Sequence, residues 1–487
     1  MIKAYDVATI RALEAETIEE VGADTLMQRA AEGLAAIAVR ELIKVSGGVY
    51  GRRVLVLVGP GNNGGDALFA GARIARRGAS VMAVRCLGTP HERGLAALQA
   101  AGGRLLELDD LGLDEDGPPG VAAADLVLDG VLGIGGRPGL PGDVGVLAGI
   151  CEGRGISTIA VDLPSGVDAD TGADPERSFQ ATRTVTFGEL KPCHLLEPAR
   201  SRCGEVDLVD IGLPDRDEQA PGRWLDQFET LDLVVGWPYP DATSDKYSRG
   251  VVGVDTGSDE YPGAAVMSVC GAAYAGAGMI RFLGAATPAD LIRSRLPNVV
   301  FSPGRVQAHL LGSGWGDRAD GHQVIADAID SGLPAVVDAD GLKYLPDELP
   351  RSWLLTPHAG ELAKLLDQDR SWVTADPVRA VCAAADRTGA TVLLKGATQL
   401  VAEPGSPRVH VAVPGPAWTA QAGSGDVLGG ICATVLAAGL SATSAALFGA
   451  SLQAVTARRH PGPIPPAELA ERLPAEIARL RRRLNAR

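Results

Sequence analysis

A chain of 487 residues exceeds one ordinary hydrophobic core and predicts two or three domains, while 46% hydrophobic and 22% charged residues are the proportions of a soluble globular protein. A formal net charge of -15 argues against DNA or RNA as a partner. The seven cysteines are scattered without a C-x-x-C pair, no apolar run reaches membrane length, and "MIKAYDVATIRALEAETIEE" lacks a signal-peptide core, so the expectation is a cytoplasmic chain with reduced thiols and no membrane partner.

Two helices are predicted before the first strand, and the second, "ADTLMQRAAEGLAAIAVRELI", carries apolar residues at helical spacing. Strands are then read at "VLVLVG", "SVMAVRC", "DLVLDGVLG", "STIAVDLP", "RTVTFG" and "VDLVDIGLP", alternating with alanine-rich helical stretches. Such alternation predicts a parallel sheet wrapped by helices. The polar, proline-containing "DRDEQAPGRWLDQFET" reads as a linker. A second series follows at "GVVGVDTG", "GMIRFLG", "NVVFSP", "HLLGSGWG", "PAVVDADGL", "SWLLTPHAGE" and "TVLLKGATQLVAEP". Near its end "AGSGDVLGGICATVLAAGL" is a glycine turn leading into a small-residue helix, and the basic "RLRRRLNAR" is a solvated helix end. No repeat links the halves. The fold class is α/β with two different domains, residues 1–217 and 225–487.

The stretch "RRVLVLVGPGNNGGDALFAGARIARRG" is a strand, a glycine loop and a helix, with G-x-G-x-x-G through Gly59, Gly61 and Gly64. A dinucleotide-binding unit would place an acidic residue at the end of the next strand, where Arg85 and Cys86 stand instead. The P-loop alternative fails because Gly65-Asp66 replaces Lys-Ser/Thr. A tight turn with an N-capping carboxylate is a further reading. Two later strand ends add to it: "DLVLDGVLGIGGRPGLPGDV" carries Asp129 before a glycine loop, and "IAVDLPSGVDADTG" carries Asp162 and Ser165. Strand C-termini of a parallel sheet share one edge, so Asn63, Asp129 and Ser165 would offer oxygens from three neighbouring ends. An oxygen-only set with one carboxylate suits a hard cation of low charge, and Asp162 would remain for proton transfer.

Together "GPGNNGGD", "VDLPSGVD", "TFGELKPCHLL" and "VDIGLP" resemble the YjeF N-terminal family, the NAD(P)H-hydrate epimerases, over about residues 1 to 215. The resemblance implies a Rossmann-like three-layer αβα domain. It implies that Asn62, Asn63, Gly64, Gly65 and Asp66, with Gly133, Ile134, Gly135, Gly136, Arg137, Pro138 and Gly139, contact the hydrated dinucleotide. It implies potassium (K+) on Asn63, Asp129 and Ser165, and substrate contact by Asp162. Where the family reads NGGDG this chain has Ala67, whose methyl would disfavour a left-handed conformation if the loop needs one.

In "QAGSGDVLGG" the small residues let backbone N–H groups converge on an anion at a helix N-terminus. Asp426 just inside that nest is either a base for a substrate hydroxyl or a carboxylate that merely favours the helix dipole. "SDKYSRGVVGV", "YPGAAVMSVCGAAYAGAGMIRF", "LGSGWGD", "VVDADGL", "LLTPHAGELAKLL" and "VLLKGATQLV" resemble the YjeF C-terminal family, the ADP- or ATP-dependent NAD(P)H-hydrate dehydratases of ribokinase-like fold, over about residues 230 to 480. The resemblance implies nucleotide contacts from Lys395, Gly396, Ala397, Thr398, Gln399 and Gly425, and hydrate contacts from Ala264, Gly316, His358 and Asp426. The Gly423, Ser424 and Gly425 amides would steady the charge that develops as phosphoryl is transferred. Mg2+ would accompany the phosphates of ADP or ATP, without a dedicated carboxylate pair. Asp245 and "GSGWG" depart from the family pattern at the entry loop.

His358 also reads as an ordinary loop histidine, His194 and His410 read as structural, and Lys191 either reaches the first pocket or covers a strand edge. The implied activity is bifunctional: epimerisation of the R and S forms of hydrated NADH or NADPH, with Asp162 moving the proton, and dehydration of the S form, with Asp426 as base. The partners are these small molecules, and the apolar N-terminal helices are candidates for a homo-oligomer interface.

Overall fold

The computed structural model describes residues 1–111, 119–175, 177–214 and 222–486. The chain divides into two compact units, one of Lys3–Trp224 and one of Leu225–Arg487 together with Met1–Ile2.

The first unit contains β1 (Ile2–Tyr5), α1 (Val7–Val21), α2 (Ala23–Ser46), β2 (Arg53–Val58), α3 (Asn62–Ala75), β3 (Ser80–Arg85), α4 (Glu92–Ala100), β4 (Arg104–Glu107), α5 (Pro119–Ala122), β5 (Leu126–Gly130), α6 (Gly142–Gly153), β6 (Thr158–Val161), β7 (Arg183–Phe187), α7 (Ala199–Cys203) and β8 (Glu205–Val209). A short strand thus precedes the two expected helices; the Tyr5 N–H donates to Leu190 O at 2.9 Å, a pairing that four residues cannot announce by alternation. Asp6 ends β1 and starts α1, its carboxylate accepting from the Thr9 N–H at 2.8 Å. The edge strand β4 is likewise unexpected; most of it is only half-buried.

The sheet order is β4-β3-β2-β5-β6-β7-β8, and each pairing is parallel. Side chains alternate across it. Val54, Val56 and Val58 enter a core with α2 and α3, while Leu55 and Leu57 enter an opposite core with α6. Both faces are covered, which makes a three-layer αβα unit. From β2 the chain first builds outward through β3 and β4, then returns to build β5 to β8 on the other side. The β2–β5 seam is therefore a topological switch point, where loops diverge and leave a crevice.

The second unit contains β9 (Trp224–Gln227), α8 (Thr230–Gly236), β10 (Val251–Asp255), α9 (Pro262–Ala275), β11 (Met279–Phe282), α10 (Ala286–Arg295), β12 (Ala308–Leu311), α11 (Gly321–Asp330), β13 (Ala335–Val337), β14 (Leu354–Leu355), α12 (Ala359–Leu366), α13 (Arg370–Ala375), α14 (Pro377–Thr388), β15 (Thr391–Leu394), β16 (Leu400–Ala402), β17 (Arg408–Val411), α15 (Ser424–Ala437), α16 (Ala442–Arg459) and α17 (Pro466–Asn485). Its strands run β9-β17-β16-β15-β14-β13-β12-β10-β11, parallel from β11 to β15 and antiparallel through β15, β16 and β17. One face carries α9, α15, α16 and α17 on Val252, Val254, Leu310 and Val336. Helices α9 and α15 meet backbone to backbone: a Cβ on Gly271 would stand 2.2 Å from Val427 O.

Three sequence expectations need correction. The supposed linker is partly structure, since Trp224–Gln227 is a fully buried strand and Thr230–Gly236 a helix; residues 215–221 lie outside those described. "NVVFSP" forms only a single bridge, Val300 to Arg281. "TVLLKGATQLVAEP" is not one strand but the β15–β16 antiparallel pair, turning at Gly396 and Ala397.

Candidate active sites

Loops from the C-terminal ends of β2, β5 and β6 enclose a cleft of about 530 Å³ in the first unit. Asn62, Asn63 and Asp66 line it from the start of α3, Gly133, Ile134, Gly135 and Gly136 from the loop after β5, and Asp162 from the end of β6. The loop backbones touch: a Cβ on Gly59 would lie 1.9 Å from Val131 O, so only glycine fits there. Gly64 and Gly65 serve packing and not the wall, since a Cβ on Gly64 would meet Gly59 O at 2.4 Å and one on Gly65 would meet Met27 and His91. Arg137, Pro138 and Gly139 are outside the lining set. Ala67 is buried within α3, free of the left-handed region, and its methyl sits where Gly130 has no side chain. The family departure is therefore absorbed by a glycine on β5.

Asp162 is one of the few non-glycine residues with positive φ, at 69°. Its Oδ1 accepts from Lys191 Nζ at 2.6 Å and from Thr186 Oγ1 at 3.0 Å. Burial pushes this carboxyl up, but the Lys191 ammonium outweighs it and holds Asp162 below the usual carboxylate range. Lys191 is 1% exposed, does not itself line the cleft and also reaches Phe187 O at 3.1 Å, so it is buried behind Asp162 and not laid over a strand edge. His194 Nδ1 accepts from the Lys191 N–H at 3.0 Å, which leaves Nε2 protonated to donate to Asp162 O at 2.9 Å. Burial lowers this imidazole to about 4, so it is a neutral structural brace.

Beneath the cleft, Asp129 and Ser165 are fully buried and bonded to each other. Ser165 Oγ donates to Asp129 Oδ1 at 2.6 Å and the Ser165 N–H to Oδ2 at 2.8 Å, with Leu132 O 3.1 Å from the hydroxyl. The Asn63 carboxamide abuts Gly133, and its Nδ2 has no partner. Burial pushes Asp129 up to about 6. This is a hard-oxygen set around a single carboxylate lacking a counter-charge, a donor chemistry that fits a monovalent cation.

In the second unit Gly423, at φ 90°, turns the chain into α15 and places Asp426 in the first turn. A Cβ on Gly425 would stand 3.2 Å from Lys395 Nζ and 3.4 Å from Asp338 Oδ2, so the nest lies against these two groups. They form a pair at 2.5 Å. Glu361 stands 3.9 Å from Lys395, whose ammonium the Asp338 and Glu361 charges keep protonated against the effect of burial. Asp426 is pushed up to about 7, by burial first and by the Asp338 charge second, with Ser313 and Lys395 pulling the other way. Asp426 is therefore not the lone acid of its site. Lys395 is paired with Asp338, and among the described residues no group of three His, Cys, Asp or Glu is placed to hold a metal ion.

His358 is the N-cap of α12, its Nδ1 accepting from the Gly360 and Glu361 N–H groups. It is bridged to Lys395, which brings it to the same sheet edge. Gly316 donates its N–H to Asp340 at 2.9 Å, and Ala264 packs where Gly314 lacks a Cβ. Gly396 and Ala397 form the exposed turn after β15, followed by Thr398 and Gln399, whose Oε1 is buried without a partner. Asp245 accepts from the Tyr247 and Ser248 N–H groups and simply shapes an exposed turn. His410 lies on β17, away from these groups in the sheet order.

The family model described as YjeF-related protein N-terminus matches residues 23–193, and that described as NAD(P)H-hydrate dehydratase matches residues 252–477. Over 457 residues the chain is 43% identical to the bifunctional NAD(P)H-hydrate repair enzyme Nnr of Mycobacterium tuberculosis, covering 91% of this chain and 90% of that one. The chain belongs to the bifunctional NAD(P)H-hydrate repair enzyme family. A Corynebacterium glutamicum relative of the same name is 32% identical over 517 residues, covering 90% and 87%. A solved structure of ADP/ATP-dependent NAD(P)H-hydrate dehydratase from Bacillus subtilis aligns at 22% identity and TM-score 0.49, covering 52% of this chain and 97% of that one.

For a member of this repair-enzyme family, the cleft holds more than the sequence motifs announced. Arg11 and Glu14 reach it from α1, and Phe187 from the end of β7. Their one signal is position: Ile10, Leu13 and Thr17 bury one stripe of α1, and Arg11 and Glu14 flank it three residues apart.

Proposed function

We propose that the chain epimerises the R and S forms of hydrated NADH and NADPH in its first unit and dehydrates the S form in its second at the expense of ADP or ATP. The domains of that division are residues 1–217 and 225–487. The observation that carries the reading is that each family-matched region holds a carboxylate with a displaced pKa beside converging backbone at a sheet edge: Asp162 held low by Lys191, and Asp426 raised to about 7.

In the second unit Asp426 takes the proton of the substrate hydroxyl as its oxygen attacks the terminal phosphoryl group. The Gly425 backbone and Lys395 would face the charge that builds on that group, whereas the Ser424 N–H is already given to Gln421 O at 3.1 Å. Phosphate then leaves, expelled by the ring-nitrogen lone pair as a C=N bond forms, and loss of the proton from the neighbouring ring carbon to water restores the ring C=C bond of the reduced cofactor. A base near neutrality suits this step, ionised in working solution yet basic enough to accept. In the first unit Asp162 moves the proton of epimerisation while Asn62, Asn63, Asp66 and the Gly133–Gly136 backbone hold the dinucleotide. Asn63, Asp129 and Ser165 would hold potassium, which supplies the positive charge that the buried Asp129 lacks and fixes the loops above it.

The test is incubation with a mixture of hydrate epimers, with ADP and ATP supplied separately. Recovery of reduced nicotinamide absorbance with release of inorganic phosphate, continuing until both epimers are consumed, supports the reading. An accumulating phosphoester overturns it in favour of a small-molecule kinase.

A further inference from the structure

The cleft of the first unit contains three carboxyl groups, not one. Glu14 comes from α1, Asp66 from α3 and Asp162 from the end of β6. Two cations face them, Lys191 from beyond β7 and Arg11 on Glu14's own helix. Lys191 is committed to Asp162, at 2.6 Å. Asp66 is 8% exposed and its Oδ1 has no partner. The Glu14 side chain makes no hydrogen bond or ion pair among the described residues and is half-buried at the cleft wall.

Epimerisation by loss and return of water needs two opposite proton tasks. The departing hydroxyl must receive a proton as its C–O bond breaks and the ring-nitrogen lone pair forms a C=N bond. The water that adds to the other face must lose one as its C–O bond forms. A single carboxylate held ionised by an ammonium can do only the second. Accepting the proposed epimerase activity of this unit, we infer that Glu14 is the acid that protonates the departing hydroxyl, with Asp162 as the base that deprotonates the incoming water. The proton lost by Glu14 equals the proton gained by Asp162, and turnover in the reverse direction exchanges the two roles. No redox partner is involved.

The environments separate the pair as the chemistry requires. Burial, and then the Asp162 charge, push Glu14 above its usual range against Lys191 and Arg11, whereas Asp162 is held low. Asp66 is pushed well above its usual range, by burial first and then by the Asp162 and Glu14 charges. Asp66 is 8% exposed, whereas a larger part of the Glu14 side chain remains open to water, so Glu14 is the raised carboxyl that reloads its proton from solvent.

The experiment uses the full chain, with epimer exchange followed by chromatography in the absence of nucleotide. Glu14→Gln is expected to lower kcat for exchange by about 10²–10⁴-fold with KM close to wild type, the range for loss of one general acid. The wild-type rate is expected to fall on an alkaline limb as this acid ionises; Glu14→Gln should lack that limb, and Glu14→Asp should regain part of the rate. Thermal unfolding of each variant, matching wild type, reports that the first unit is folded. Exchange by Glu14→Gln within twofold of wild type, a change confined to KM, or an alkaline limb that persists overturns the assignment. A wild-type chain that exchanges no epimers overturns the epimerase reading itself, a separate result.

Discussion

Replacing Lys191 by Met isolates the electrostatics under the first cleft. In the native chain Lys191 is 1% exposed and its ammonium bonds Asp162 Oδ1, Thr186 Oγ1 and Phe187 O at 2.6, 2.9 and 3.1 Å. Methionine keeps the volume and removes the charge, leaving a buried carboxylate with Thr186 as its side-chain donor. Breaking a buried pair in this way costs about 3–5 kcal/mol. For a unit of this size each kcal/mol moves Tm by about 2–4 °C, so the shift is on the order of 10 °C at pH 8. The pH dependence carries a definite sign. Asp162 is held below its unfolded value in the native chain, so its contribution is full above the ordinary carboxylate range and is lost as pH falls through the lower folded value. In the variant burial alone raises it, and the folded state then loses stability as pH climbs through that range. The gap between the two proteins should be widest near pH 8 and narrow toward about pH 4, near the unfolded carboxylate value. Thermal unfolding of both chains at several pH values measures it. A Tm within 1–2 °C of wild type at pH 8, less than ~1 kcal/mol on the same scale, or a gap indifferent to pH, would refute the reasoning.

Asp426→Asn should lower nucleotide-dependent dehydration by about 10²–10⁴-fold and leave epimer exchange intact. In the wild type the dehydration rate should rise with pH through about 7 and then level, because the base must be ionised; a profile flat from pH 5 to 9 contradicts the role of Asp426. Gly130→Ala would bring a methyl within 2.5 Å of Ala67 Cβ and should cost about 1–3 kcal/mol in thermal or urea unfolding, with Ala67→Gly restoring part of it. Asp129→Asn removes the charge from the proposed potassium set. Epimer exchange by the wild type should fall when choline replaces potassium, and the variant should be slow in both salts.

Much of both sites was legible because the residues involved are tied to strand ends. Gly59, Asn63, Asp129, Asp162 and Ser165 each follow an apolar run, and the parallel order β2-β5-β6 brings them side by side. Asp426 was legible from the small residues that start α15. Arg11 and Glu14 were not, because helical periodicity says which stripe of α1 is buried and nothing about what its flanks face. Lys191 was ambiguous for a related reason: its proline-bounded loop has no period, and only the fold places its ammonium on Asp162. The Asp338–Lys395 pair joins residues 57 positions apart, at the ends of β13 and β15, which sequence spacing cannot connect. The short strands β1, β4 and β17 hold four residues each, too few to display an alternation.

The most direct measurement is the end point reached by Asp162→Ala when it is given both hydrate epimers and excess ADP or ATP. With the second unit intact and the first disabled, one epimer should be converted completely to reduced cofactor and the other should persist. The wild type should leave neither. Complete consumption of both epimers by the variant, at the wild-type rate, would contradict the division of labour between the two carboxylates.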